Sequence, residues 1–122
     1  MGYPQLAVEH FEDRGVHIIA LSGELDLASV GDMQAALSAA QASEQPRVCL
    51  DLADLQFIDS TGLATVIRTH LAIEGAGGAL AVVCSDNPVR RTVETTGLFE
   101  MLTVTDSREA GLLALERPDA AG

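Results

Sequence analysis

The feature that most restricts the fold of this chain is a regular alternation of short apolar runs with helix-like segments. Two apolar runs, at residues 6–11 and 16–22, open the chain and are joined by a polar turn, which predicts a β-hairpin. Helix-like and strand-like segments then alternate towards the C-terminus. This order predicts an α/β fold with a mixed, mostly parallel five-stranded sheet and four helices packed on it.

Local signals define most of the predicted boundaries. Asn87 followed by Pro88 marks a helix start, because Asn is a good N-cap and proline suits the first helical position. Asp106, with Glu109 three residues later, predicts the cap of the last helix. The remaining strands are predicted at 48–52, at 79–84 and within 98–104, and the helices at 32–42, 60–74, 88–96 and after residue 106. The apolar stripes of the second and last helices are predicted from helical spacing as Leu63, Val66, Ile67 and Leu71, and as Leu112, Leu113 and Leu115.

The size and composition of the chain suit one domain. It has 122 residues, of which 48% are hydrophobic, so it is long enough to bury a core. We expect a single domain at residues 1–117 and a frayed tail at 118–122. No apolar run approaches the length of a membrane span, and residues 1–5 lack the basic residues and apolar block of a signal peptide. We therefore expect a cytoplasmic protein with no membrane partner.

Charge disfavours several classes of function. The formal net charge is −11, and the chain has no lysine, because all seven basic residues are arginine. This excludes the phosphate-binding lysine of a Walker A loop, a Schiff-base lysine and a lysine general base. So acidic a domain is a poor match for nucleic acid, which is bound by cationic side chains. Such acidity serves mainly to keep a protein soluble, and at most it favours a partner with a basic surface.

Side chains that bind metals are few and scattered. Cys49 and Cys84 each lie in an apolar, strand-like run, which predicts two buried reduced thiols rather than a disulfide or a metal pair. His10 and His17 lie in the predicted hairpin without a third ligand, and His70 lies at the edge of the second helix's apolar stripe. The sequence therefore predicts neither a metal site nor a cofactor.

Polar residues gather in two segments that follow predicted strands, at 23–30 and 53–62. The second segment ends in the sequence Asp-Ser-Thr-Gly, at residues 59–62, where a helix is predicted to start. Such residues satisfy the unpaired N–H groups of a helix start, so helix capping explains them. The alternative is phosphorylation of Ser60, since a phosphate there would face free N–H groups and the positive end of the helix dipole. The local pattern leaves both interpretations open.

The sequence Asp59-Ser60-Thr61-Gly62-Leu63, after the apolar run 48–52, resembles the signature of STAS domains, in particular that of bacterial anti-sigma factor antagonists. Gly-Glu-Leu-Asp at 23–26 resembles the first loop of this family. The segments 87–91 and 96–98 resemble its third helix and the turn that follows. The likeness spans residues 6–115 in the family's order of elements, so it implies a single STAS-like domain.

The resemblance implies a regulator of bacterial transcription and not an enzyme. Unphosphorylated members bind an anti-sigma factor that is also an ATP-dependent serine kinase, and so release a sigma factor. The kinase phosphorylates the serine of the motif, here Ser60, and the complex dissociates. A metal-dependent serine phosphatase restores the active form. The residues that the resemblance assigns to the partner-binding surface are Asp26, which would lie near Ser60, together with Asp59, Ser60, Thr61 and Gly62.

Other interpretations carry less weight. Some STAS domains work without a phosphoswitch, as scaffolds of stress-sensing assemblies or as subunits of lipid-transport complexes. A response-regulator receiver conflicts with the opening hairpin and the lack of lysine. A serine hydrolase conflicts with the missing glycine two residues before Ser60 and with His70, about three helical turns away. Arg90 and Arg91 suggest a phosphate clamp, but arginines on a helix surface are usually solvated. No pattern demands self-association, so we expect a monomer.

Overall fold

A computed structural model describes residues 5–116, without the side chains of residues 98 and 99. Its elements follow the predicted order, and the predicted tail at 118–122 lies outside the described residues. The strands are β1 (Ala7–Asp13), β2 (Val16–Leu25), β3 (Arg47–Ile58), β4 (Ala79–Val83) and β5 (Thr103–Thr105). The helices are α1 (Val30–Gln41), α2 (Ser60–Gly75), α3 (Pro88–Thr96) and α4 (Arg108–Ala114), with a 3₁₀ turn at Leu98–Met101.

The five strands form one sheet in the order β1-β2-β3-β4-β5. β1 is antiparallel to β2, and the other neighbouring strands are parallel. Crossovers between parallel strands are right-handed, and here they all step in the same direction, which places α1, α2 and α3 on one face. α4 follows the last strand and packs on the other face. The predicted mixed, mostly parallel sheet with four helices is therefore confirmed.

Each face of the sheet has its own hydrophobic core. The larger one lies beneath α1, α2 and α3, which contribute residues such as Met33, Val66 and Val93. The smaller one lies beneath α4, where Leu112 and Leu115 cover part of the opposite face. None of the described helices is both long and apolar enough to cross a membrane. The helices instead use their apolar sides to cover the sheet.

The second half of β3 departs from the prediction. The sequence predicts a loop at residues 53–62, but the strand continues to Ile58, and residues 23–25 likewise belong to β2. At two points of its pairing with β2, β3 contains an extra residue. Each such β-bulge shifts which positions face the core. Leu52, Leu55 and Ile58 are therefore all buried at a spacing of three residues, a pattern that does not resemble the period of two expected of a strand.

The buried side of α2 also differs from the predicted stripe. Leu63 and Val66 are buried as predicted, but Leu71 is 55% exposed, and His70 is buried in its place. At 100° per residue, position 70 lies about 20° from position 63 around the helix axis, whereas position 71 lies about 80° away. His70 therefore lies beside Leu63 near one edge of the buried face, and the more hydrophobic Leu71 lies outside that face.

The start of α4 lies one residue later than predicted. Ser107, not Asp106, is the N-cap, and its Oγ accepts a hydrogen bond from the N–H of Ala110 at 3.1 Å. The carboxylate of Asp106 instead accepts a bond from Nη1 of Arg90 at 2.8 Å. Leu113, predicted for the apolar side, is 55% exposed because only one side of this short helix faces the sheet.

The tight turn between α2 and β4 gives a test of the packing. A Cβ atom at Gly78 would overlap the carbonyl oxygen of Pro46 and lie 2.9 Å from its carbonyl carbon. Backbone atoms cannot move aside cheaply, so we expect Gly78→Ala to lower the free energy of unfolding by about 2 kcal/mol. The matched control is Gly31→Ala, since a Cβ atom at Gly31, in α1, would have no neighbouring atom within 4 Å. Urea denaturation should show Gly31→Ala at or above wild-type stability. Equal stability of the two variants would contradict this account of the turn.

Candidate functional site

Ser60 is the first residue of α2 and is exposed to solvent. It follows the carboxyl end of β3, the edge of a parallel sheet at which functional groups usually collect. Asp59, immediately before it, is the N-cap and has extended backbone angles, with φ −99° and ψ −179°. The predicted helix start is thus confirmed, and it leaves the Ser60 hydroxyl at the accessible tip of the helix.

The carboxylate of Asp59 holds two separate segments together. Its Oδ1 accepts a hydrogen bond from the N–H of Gly62 at 2.8 Å, and its Oδ2 accepts one from the N–H of Leu27 at 3.1 Å. The N–H of Asp59 in turn donates to the carbonyl of Leu25 at 3.1 Å. The first predicted loop is therefore fastened directly to the start of α2, beside Ser60.

Asp26 organises this first loop from within. Its Oδ1 accepts hydrogen bonds from the N–H groups of Ala28 and Ser29, at 3.0 and 3.1 Å. The hydroxyl of Ser29 donates to the carbonyl of Glu24 at 2.9 Å and accepts from the N–H of Asp26 at 3.0 Å. These bonds make residues 26–29 a closed turn, so Asp26 shapes the surface next to Ser60 as well as contributing a partly exposed carboxylate to it.

The other two residues of the motif are less exposed than Ser60. A Cβ atom at Gly62 would lie 2.8 Å from Cγ of Leu25 and 3.1 Å from Cγ1 of Ile58, so this position needs glycine. Thr61 is half-buried, and its carbonyl accepts a bond from Oγ1 of Thr65 at 2.9 Å. Gly62 thus lets the helix approach the core closely, while Ser60 has the greatest access to solvent in the motif.

The Ser60 hydroxyl lies at the start of α2, away from the three histidines of the chain. The first-turn N–H of Gly62 is capped by Asp59, which leaves those of Ser60 and Thr61 at the positive end of the helix. His70, on the same helix, lies about 15 Å farther along its axis and is buried, with its Nε2 3.7 Å from Glu74. A partner that transfers a group to the hydroxyl must therefore bring its own catalytic groups.

The remaining candidate residues are placed elsewhere in the fold. Cys49 and Cys84 are buried free thiols, as predicted, and burial raises the pKa of each to about 11. His10 Nε2 lies 3.1 Å from His17 Nδ1, which forms a pair without a third ligand. Among residues 5–116 no group of three metal-binding side chains occurs. These residues thus form no second site beside Ser60.

Arg90 is held by neighbouring carbonyl and carboxylate groups, whereas Arg91 is exposed. Nη1 of Arg90 donates to the carbonyl of Cys84 and to Oδ1 of Asp106, both at 2.8 Å. Its Nε also lies 3.3 Å from Glu94. Arg90 therefore links α3 to the residue after β4 and to the segment before α4, which is not the solvated position expected from the sequence.

Two exposed apolar side chains flank the motif and are not predicted from the sequence. Leu27, whose N–H is bound by Asp59, is 74% exposed, and Phe57, two residues before Asp59, is 45% exposed. The signal that the sequence does contain is a large apolar residue inside a polar segment, at Leu27 between Asp26 and Ala28. Leu27 can be recognised as part of the site only from its contact with Asp59, which the fold creates.

The chain is similar to known proteins over most of its length. Residues 7–111 match the family model of the STAS domain. The chain is 34% identical over 113 residues to the anti-sigma F factor antagonist of Paenibacillus polymyxa, and the match covers 92% of this chain and 95% of that relative.

Two solved structures share the fold at lower sequence identity. A crystal structure of an anti-sigma factor antagonist from Mycobacterium paratuberculosis has a TM-score of 0.82 and 24% identity, and it covers 91% of this chain and 94% of its own. The structure of the Bacillus cell fate determinant SpoIIAA in its phosphorylated form has a TM-score of 0.67 and 22% identity, and it covers 90% of this chain and 100% of its own. The element order and sheet described above are therefore those of a known fold.

The double role of Asp59 can be tested by its removal. Asp59→Ala leaves the N–H groups of Leu27 and Gly62 without their acceptor, so we expect the free energy of unfolding to fall by about 1 to 2 kcal/mol. Asp59→Asn keeps one acceptor oxygen and should lose less. Urea denaturation measures both effects, and Asp54→Ala, at an exposed position of β3, should match the wild type. If Asp59→Ala were as stable as Asp54→Ala, the carboxylate would not hold the two segments.

Proposed function

The chain belongs to the STAS domain family, and on that premise we propose that it is an anti-sigma factor antagonist whose partner binding is switched off by phosphorylation of Ser60. The observation that carries the proposal is an exposed serine hydroxyl at the first position of α2, next to a loop held rigidly by Asp59. A relative that shares 34% of its residues bears the name of such an antagonist. The protein is on this account a regulator and not an enzyme.

The unphosphorylated form binds an anti-sigma factor that is also an ATP-dependent serine kinase, and this binding releases the sigma factor. Ser60 lies at the surface, so the kinase reaches its hydroxyl without unfolding α2. The kinase supplies the base, the ATP and the metal ion, since serine by itself is a weak nucleophile. A serine phosphatase that acts on phosphorylated Ser60 returns the protein to its binding form. Because the switch depends on a kinase that uses cytoplasmic ATP, the proposal includes a cytoplasmic location, with the protein a monomer when free.

Phosphorylation changes the charge at the centre of the contact surface. It adds about −1.5 to −2 charges at Ser60, beside the carboxylate of Asp59 and near that of Asp26. An interface formed around a neutral hydroxyl must then desolvate a dianion and bring it near two further negative groups. A loss of only about 3 kcal/mol weakens binding by more than a hundredfold. Electrostatics and desolvation therefore suffice to separate the partners, with no change of fold.

The acceptor is tested by intact-mass spectrometry of the protein incubated with ATP, magnesium and candidate anti-sigma kinases from the same genome. We expect the mass of one phosphate group to be added to the wild type and not to Ser60→Ala. Ser38→Ala is the matched control, because Ser38 is an exposed serine on α1, outside the motif, and its loss should leave the modification intact. If kinases that are active on other substrates add no phosphate, the switch is wrong, and a role as a scaffold or subunit of a larger assembly takes its place.

The effect of charge is tested by binding. Ser60→Ala should bind the kinase as tightly as the wild type and resist release by ATP, whereas Ser60→Glu should bind at least about tenfold more weakly. The loss is smaller than for phosphate, because a carboxylate carries less charge. Isothermal titration calorimetry measures both dissociation constants. Wild-type affinity of Ser60→Glu would show that charge at this position does not operate the switch.

A further inference from the structure

We propose that Leu27 is the apolar anchor of the partner-binding surface, and that it enters an apolar pocket of the anti-sigma kinase bordered by basic side chains. The inference rests on the proposed function and adds the chemistry by which the partner is recognised. It follows from three properties of the loop beside Ser60: the exposure of Leu27, the rigidity of its backbone and the sign of the charges around it.

Leu27 is the most exposed large apolar side chain among the described residues, at 74%. Leu25, two residues earlier on the same strand end, is completely buried. Phe57, at the end of β3, adds a second apolar side chain that is 45% exposed and stands two residues before Asp59. Exposed leucines are common one by one, but two large exposed apolar residues, one on each of the segments that meet at Asp59, are typical of a protein-binding surface.

The loop that carries Leu27 is fixed before any partner arrives. The N–H of Leu27 is held by Asp59 at 3.1 Å, and the residues on both sides are held by the Asp26 turn. Ordering a loop on binding costs free energy, so an apolar side chain on an already ordered loop gives more of its burial energy to affinity. Residues with the largest effect on binding are typically such preorganised, centrally placed anchors. Asp59 thus acts as a positioning residue for Leu27.

The charges near Leu27 predict the sign of the charge on the partner's surface. A groove of about 390 Å³ is lined by Glu24, Asp26 and Asp32 together with Ala28, the residue after Leu27, and no arginine is among its lining residues. Several arginines are engaged far from it, such as Arg14 with Glu109 and Arg108 with Asp51. A partner that covers Leu27 therefore meets an acidic border, which arginine or lysine side chains complement. A second copy of this chain, with net charge −11, would meet like charge instead.

The test compares Leu27→Ala with Leu113→Ala. Leu113 is also exposed, at 55%, but lies on α4, on the opposite face of the sheet. The probe is the anti-sigma kinase from the same genome that phosphorylates the wild type. We expect Leu27→Ala to raise the dissociation constant at least about tenfold, while Leu113→Ala stays within about twofold of the wild type. Leu27→Met, which keeps an apolar side chain of similar volume, should recover most of the affinity.

Phosphorylation kinetics give a second readout. An anchor contributes to binding and not to phosphoryl transfer, so the loss of Leu27 should raise KM of the kinase for this protein and leave kcat nearly unchanged. A change confined to kcat would overturn the anchor role. Urea denaturation of Leu27→Ala should match the wild type, because the side chain is mostly exposed.

The acidic border is tested by salt and by the double variant Glu24→Gln, Asp32→Asn. Binding of the wild type should weaken as ionic strength rises, and the double variant should bind more weakly and respond less to salt. If ionic strength does not change the affinity of the wild type for the kinase, the proposed pocket with basic side chains is wrong.

If the wild type is phosphorylated at Ser60 but Leu27→Ala binds the kinase like the wild type, the anchor role of Leu27 is wrong and the proposed function stands. If no kinase binds or phosphorylates the wild type, both proposals fail.

Discussion

The parallel pairing of β2 with β3 is the interaction on which the rest of the molecule depends. These are the two longest strands, with ten and twelve residues, and they lie in the interior of the sheet. Their carboxyl ends carry the two segments that form the candidate site, the turn at residues 26–29 and the start of α2. The pair of bulges in β3 keeps its buried residues turned towards the larger core while the strand bends. Without that pairing, Asp59 and Leu27 would not be held close enough to form their hydrogen bond.

The parts of the fold that the sequence predicts well are those with signals inside a single element. α3 is the clearest case, because Asn87 caps its start through the N–H of Arg90 at 2.8 Å and Gly97 ends it in a left-handed conformation. Both effects are local, and both are visible in the residue types. The end of β3 is the opposite case, because a bulge is defined by the neighbouring strand. His70 is likewise buried through its angle around α2, and neither hydrophobicity nor local spacing reveals how the helix is rotated against the sheet.

The residues of the candidate site likewise fall into those with a local sequence signal and those without one. The helix start at Ser60 and the capping role of Asp59 follow from the residue types. The second bond of Asp59, to Leu27, joins residues 32 positions apart and has no local signal. The sequence shows this first loop only as a run of polar residues, whereas the bond makes it a rigid turn that exposes an apolar side chain. The contacts of Arg90 are equally non-local, since Asp106 follows it by 16 residues.

The two cysteines lie on opposite faces of the sheet, Cys84 in the core beneath α1, α2 and α3, and Cys49 in the core beneath α4. Each thiol is shielded and protonated in the native state, so a solvent-borne reagent reaches it only when the layer above it opens. The native protein thus contains a separate chemical reporter for each of its two layers. α4 has seven residues and covers Cys49 with few buried side chains. Subglobal opening of this thinner layer would therefore become visible at Cys49 while Cys84, and the layer that holds Ser60, remained closed.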